Sequence, residues 1–250
     1  MKNLKFSFFL ILISSNALYA QDNYLYEQNF TSYSDYISKK CGVLLKMPNN
    51  FTDLKKYFMQ TKIRNADPGP GVAFLFGPIL KADKDCIVGY PYRPDYERIT
   101  GWVDKSQKDS LAEWREKNAE LARVLIHTEV KAALGYPQYL PDLPPKDTIK
   151  RIISPRYDTT RIDLNKYVTI IAGKKAKEMF NADTIFVYEL PLQKPYEGKY
   201  PYCTSLYIYK RNRAALNFRL FFTPNGKKKD EEYINLLSQQ ILYDESYQAK

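Results

Sequence analysis

Apolar and polar residues alternate along several stretches of this chain, and each alternation predicts an element. Val43, Leu45 and Met47 share one face of a strand running from Cys41 to Met47. Pro48, Asn49 and Asn50 stop it. Phe51 to Gln60 fits one short helix capped by Thr52 or Asp53. Val72 to Leu80 is an apolar run of the kind found in buried strands, and Cys86 to Tyr90 is a second. The polar turn Lys81 to Asp85 joins them into a predicted hairpin.

Ser110 to Leu134 carries the spacing of a helix. Leu111, Trp114, Leu121, Leu125 and Ala132 form one stripe, read as core contact. Ser110 and Glu113 have capping-box spacing, and Gly135 stands where a C-terminal cap belongs. Tyr136 to Pro145 is a Pro-rich loop. Leu164 to Phe180 is predicted helical, interrupted by Gly173. Three strands follow: Thr184 to Leu190, Cys203 to Lys210, and the stretch where Leu216, Phe218, Leu220 and Phe222 alternate. Asn225 and Gly226 turn the chain. Asp230 caps a closing helix from Glu231 to Leu242, whose first-turn acids suit the helix dipole.

This order predicts an α+β fold, a mostly antiparallel sheet covered by helices. It is expected as a single domain over 41–250, preceded by a polar, Tyr-rich lead-in over 21–40. The run Ala182 to Leu190, the pair of strands within Tyr202 to Phe222 and the closing helix through Ile241 resemble the ending of PsbP-like domains. Gly42 to Phe51, a strand running into Pro and a polar turn, resembles their start. The resemblance is one of element order and leaves Tyr90 to Pro155 outside it. It implies a PsbP-like sandwich and, because such domains mostly bind other proteins, an accessory or scaffold role. It carries over no functional residue.

The first twenty residues have a different texture. Lys2 and Lys5 precede the apolar run Phe6 to Ile13, and small or neutral residues lead to Ala20. That is the pattern of a cleaved signal peptide over 1–20, with Ala17 as the alternative cut. Gln21 in place of Cys argues against a lipid anchor. The expected location is periplasmic or secreted, with no membrane span, because no later apolar run is long enough.

The formal net charge of +10 favours anionic partners such as an anionic surface or an acidic glycan. Export makes nucleic acid an unsuitable partner. The basic residues are scattered, and the densest run, Lys227 to Lys229, is followed at once by Asp230, Glu231 and Glu232. Solubility accounts for such a pattern.

The sequence has three Cys, an odd number. Cys41, Cys86 and Cys203 are each placed in a strand-like segment. They are expected either as buried thiols or as one disulfide plus a free thiol. A single His, His127, rules out His-rich metal sites, and no Cys pair has metal-ligand spacing. No carboxylate stands three or four residues from His127, so a basic surface position is expected for it. No nucleophile elbow, P-loop or dinucleotide fingerprint occurs. No catalytic, cofactor-binding or metal-binding residue is assigned.

The chain has 22 Tyr. Tyr90 and Tyr92 flank Pro91, Tyr136 and Tyr139 flank Pro137, and Tyr200 and Tyr202 flank Pro201. These six are the candidate ligand surface, weighed against Tyr simply pinning Pro-rich loops to the body. The functional expectation is a non-enzymatic accessory or binding protein acting on a protein or cell-envelope partner. Two alternatives are a glycan-binding module using the Tyr-Pro loops and a hydrolase with an unrecognised carboxylate pair.

Overall fold

The structure, a computed structural model, describes residues 29–56, 76–91, 126–127, 129–134, 162–211 and 213–247. It is an α+β fold built on one antiparallel sheet of seven strands. The elements, in chain order, are helix α1 (Phe30–Cys41), β1 (Val43–Leu45), β2 (Thr52–Asp53), β3 (Phe76–Lys81) and β4 (Cys86–Pro91). Helical residues follow at 126–127 and 129–133. Then come a 3-10 turn (Leu164–Lys166), β5 (Val168–Ala172), α2 (Lys174–Phe180), β6 (Thr184–Glu189), β7 (Tyr202–Tyr209) and β8 (Leu216–Phe222). Two helices, α3 (Pro224–Lys227) and α4 (Asp230–Ser238), and β9 (Ile241–Tyr243) close the chain.

The sheet order is β2-β3-β4-β8-β7-β6-β5. A separate two-stranded ribbon pairs β1 with β9. Both faces of the large sheet are covered, and the alternation of each strand sorts its side chains between them. Leu206, Ile208, Phe218, Leu220 and Phe222 join Phe30, Tyr33, Phe180 and Leu237 in the first core. Cys203, Tyr207 and Phe221 join Ile126, Val130, Leu190 and Tyr200 in the second.

The predicted hairpin and the last three sheet strands are present, with β3 against β4 and β6, β7 and β8 in sequence. Several expectations change. Residues 30–41 are helix rather than a loose lead-in. Asn29 caps them through its side-chain oxygen, and Phe30, Tyr33, Ile37 and Cys41 turn into the core. Cys41 therefore ends a helix instead of starting a strand. The helix expected from Phe51 is instead a loop with the short strand β2, paired to Lys81 and Leu80; residues 57–60 lie outside the described residues.

The span from Leu164 to Phe180 is not one helix. Val168 to Ala172 is rich in β-branched residues and pairs with β6, while Gly173, at φ 63°, turns the chain into α2. The closing helix stops at Ser238, because Ile241 to Tyr243 crosses to pair with β1. Asn225 and Gly226 sit inside α3, capped by Thr223, and Asp230 is the first residue of α4 rather than its cap. Of the long helix expected over 110–134, the described part is helical; its N-terminal cap and Gly135 lie outside the described residues, as do residues 1–28.

Candidate functional site

Four residues on the second face of the sheet are polar where the alternation would allow apolar ones. Cross-strand register sets Tyr188 of β6 opposite Ser205 of β7, and Ser205 opposite Arg219 of β8. Asn217 is two residues from Arg219 and shares its face. All of this lies under the helical segment that carries Glu129.

A buried charge needs a partner, and Arg219 has one. Its Nη2 donates to Glu129 Oε1, and its Nη1 to Ser205 Oγ and to Asn217 Oδ1 at 2.5 Å. Ser205 Oγ also donates to Asn217 Oδ1 at 3.2 Å. Tyr188 donates its hydroxyl to the other Glu129 oxygen, Oε2. Only 4% of the Arg219 side chain and 15% of the Glu129 side chain are exposed, so water screens this pair little. Burial opposes the charge on Arg219, and the Glu129 carboxylate more than restores it, raising the guanidinium above its usual range. Burial, with Glu129 beside it, also pushes the Tyr188 phenol up.

The same helical segment walls a pocket of about 540 Å³. Val130, Ala133 and Leu134 form that wall. Leu190, Pro191, Pro201, Tyr202 and Tyr167 also line the pocket. Cys203 lies at the pocket two residues from Ser205, about 7 Å along β7 from the polar row. Glu129 thus fastens to the sheet the segment that shapes the pocket.

Lys227 brings a cation to the described lining residues. Its Nζ lies 2.8 Å from Glu189 and 2.8 Å from Asp230, and donates to Thr204 Oγ1 at 3.2 Å. Partial burial opposes its charge, but the two carboxylates outweigh that and raise its pKa. Its charge is therefore already matched. Burial pushes the Cys203 thiol up to about 12, which keeps it protonated and a poor nucleophile at neutral pH. The pocket offers apolar and aromatic surface with a neutralised ionic edge, which suits binding.

The six candidate tyrosines do not form one surface. Tyr90 is fully buried in the first core, edge-on to Phe30, Tyr33 and Phe218 at 5.5, 6.2 and 5.0 Å between ring centres. Its hydroxyl has no hydrogen-bond partner among the described residues. Tyr200 is buried in the second core, close to Tyr196, which in turn stacks on Phe221. Tyr202 alone of the three is exposed, at 43%, and it is the one at the pocket. Tyr92, Tyr136 and Tyr139 lie outside the described residues.

Cys41, Cys86 and Cys203 are all buried thiols. Cys86 and Cys203 belong to opposite faces of the sheet, with β8 between their strands, so they are not placed to bond. His127, expected as a basic surface position, is half-buried, and its Nε2 accepts the Ile162 N–H at 3.5 Å. No group of three His, Cys, Asp or Glu that could hold a metal ion occurs among the described residues. No helix among them is long and apolar enough to cross a membrane.

The Arg219–Glu129 network was not identified from sequence. The available signal was the parity of β8. Phe221 shares a face with Arg219 and Asn217, so that face is partly apolar and an arginine on it points inward. The partner, Glu129, stands 90 residues away, and no local pattern selects it. Comparison of the chain with known protein families, with characterised proteins and with solved structures finds no match in any of the three.

Proposed function

We propose that this chain is an exported, non-catalytic binding protein that takes an apolar or aromatic side chain of a protein partner into the pocket lined by Val130, Ala133 and Leu134. The observation that carries the reading is the pocket lining. Tyr167, Tyr202, Leu134, Pro191 and Pro201 present apolar surface at a site whose charges are already paired. Pockets of a few hundred Å³ with mostly apolar walls are the usual form of a binding site. Tyr is also enriched at surfaces that receive protein partners.

Two further observations favour this reading over a catalytic or a glycan-binding one. The thiol at the pocket is held protonated, and the carboxylate of Glu189, which also lines it, is paired with Lys227. The burial of Tyr90 removes part of the aromatic surface that a glycan-binding reading needs. Export rests on the signal-like residues 1–20, and the PsbP-like resemblance carries the same expectation of a protein partner.

Crosslinking from position 202 in the native host tests the binding site. Mass spectrometry of the mature N-terminus tests export separately: a chain starting at Gln21 or Leu18 agrees with it, and an intact Met1 contradicts it.

A further inference from the structure

Strand β5 ends the large sheet, and no other strand among the described residues pairs with its outer edge. Its sequence, Val168-Thr-Ile-Ile-Ala172, is uncharged, free of Pro and rich in β-branched residues. Natural sheets commonly blunt such an edge with Pro, a bulge or an inward charge. None of these is present in β5. Ile170 is 43% exposed and Tyr167, just before the strand, is 46% exposed.

The register shows which backbone groups are open. Gly173 donates its N–H to Asp183 O, so residues of that parity, Ile171 and Thr169, face β6. Val168, Ile170 and Ala172 then direct their N–H and C=O groups outward. They form a ready template for one more strand.

The charges at the ends of the strand select the occupant. Lys166 precedes β5, and Lys174 and Lys175 follow it, all exposed. Lys174 has a solvent-exposed neighbour, Glu178, at 3.7 Å. A second copy pairing antiparallel about Ile170 would bring the Lys166 end of each copy beside the other copy's Lys174–Lys175 end. Like charges brought together there disfavour such a pair. We infer that β5 receives an extended segment of another protein, with β-branched apolar residues at its centre and acidic residues at its ends. This goes beyond the pocket reading and does not depend on it.

The test uses the full chain and two capped nine-residue probes. One is Glu-Asp-Val-Thr-Val-Thr-Val-Asp-Glu, and the other has Lys at its four end positions. The acidic probe is expected to bind at least about tenfold more tightly at low salt, with the gap shrinking as salt rises. It should slow amide exchange at Val168, Ile170 and Ala172. Ile170→Pro removes an outward N–H and leaves the β5–β6 bonds in place, so it should abolish binding of the acidic probe. If that variant fails to fold, the double variant Lys166→Glu/Lys174→Glu decides, because it should reverse the preference between probes. Equal binding of both probes, no binding of the acidic one, or a peptide-free dimer broken by Ile170→Pro would overturn the inference. A crosslinking failure at the pocket would leave these outcomes unaffected.

Discussion

The carboxylate of Glu129 lies against the guanidinium of Arg219 inside the protein, joining residues 90 apart in sequence. One Glu129 oxygen takes Arg219 of β8 and the other takes Tyr188 of β6. A single side chain thereby fastens one helical segment to two strands of the sheet. That segment also supplies Val130, Ala133 and Leu134 to the pocket wall.

Removing one partner leaves the other charge buried and uncompensated. Glu129→Ala is expected to destabilise the protein by about 3–5 kcal/mol, measured by urea unfolding. The double variant Glu129→Leu/Arg219→Met removes both charges and should recover much of that loss. If the single and double variants unfold alike, the ion pair is not what holds the segment.

An exposed pair of the same chemistry should behave differently. Lys56 Nζ lies 2.5 Å from Glu197, with both side chains more than a third exposed. The bond from Lys56 holds the Glu197 carboxyl below its usual range, against a smaller opposing effect of burial. Its contribution is present above the ordinary carboxylate pKa and fades as pH falls through the lowered one. Glu197→Gln should cost less than about 1 kcal/mol at neutral pH, with high salt erasing the difference from wild type.

Alkaline pH should weaken the fold through its buried thiols. Burial raises the Cys203 thiol from its ordinary 9.0 to about 12, and burial followed by Asp83 and Asp85 raises Cys86. The unfolded chain then releases these protons at lower pH than the folded one. Stability is therefore full below pH 9 and falls from there toward about 12 for Cys203. Urea midpoints at pH 7 and pH 10 should differ, and Cys203→Ala should reduce that difference. A midpoint unchanged with pH in the wild type would contradict the burial argument.

Gly226 in α3 is required by a close approach. A Cβ there would run into the Asp85 carbonyl oxygen of the β3–β4 turn. Thr223 fixes the same junction, donating its hydroxyl to Asp85 Oδ1 at 2.7 Å and its N–H to Asp85 O at 3.0 Å. Gly226→Ala should lower stability by about 1–3 kcal/mol through overpacking. Calorimetry that finds an unchanged melting temperature would show that the junction relaxes freely.

The sheet was legible where side chains alternate. Leu206 with Ile208, and Leu216 through Phe222, named one face of β7 and β8 directly. The signal failed where both readings fit a short apolar run. Val168 to Ala172 is five residues followed by helix-forming Lys and Ala, and only its pairing with β6 settles it as strand. Ile241 and Leu242 read as the end of the preceding helix because the strand's partner, β1, lies almost 200 positions earlier. The polar row was illegible for the same reason, since Arg219 finds Glu129 only through the tertiary fold. Within the candidate surface, Tyr-Pro spacing marked Tyr202 at the pocket but equally marked Tyr90. Spacing carries no information on which side of a sheet a tyrosine faces.

The pocket reading is tested most directly by photocrosslinking in the native host. A benzoylphenylalanine at Tyr202 reports on the pocket rim, and one at Leu236, exposed on α4, serves as the control. The account predicts one discrete protein adduct from position 202, lost when Leu134→Arg is added, and none from position 236. An adduct of equal yield from both positions, or none from position 202, would contradict it.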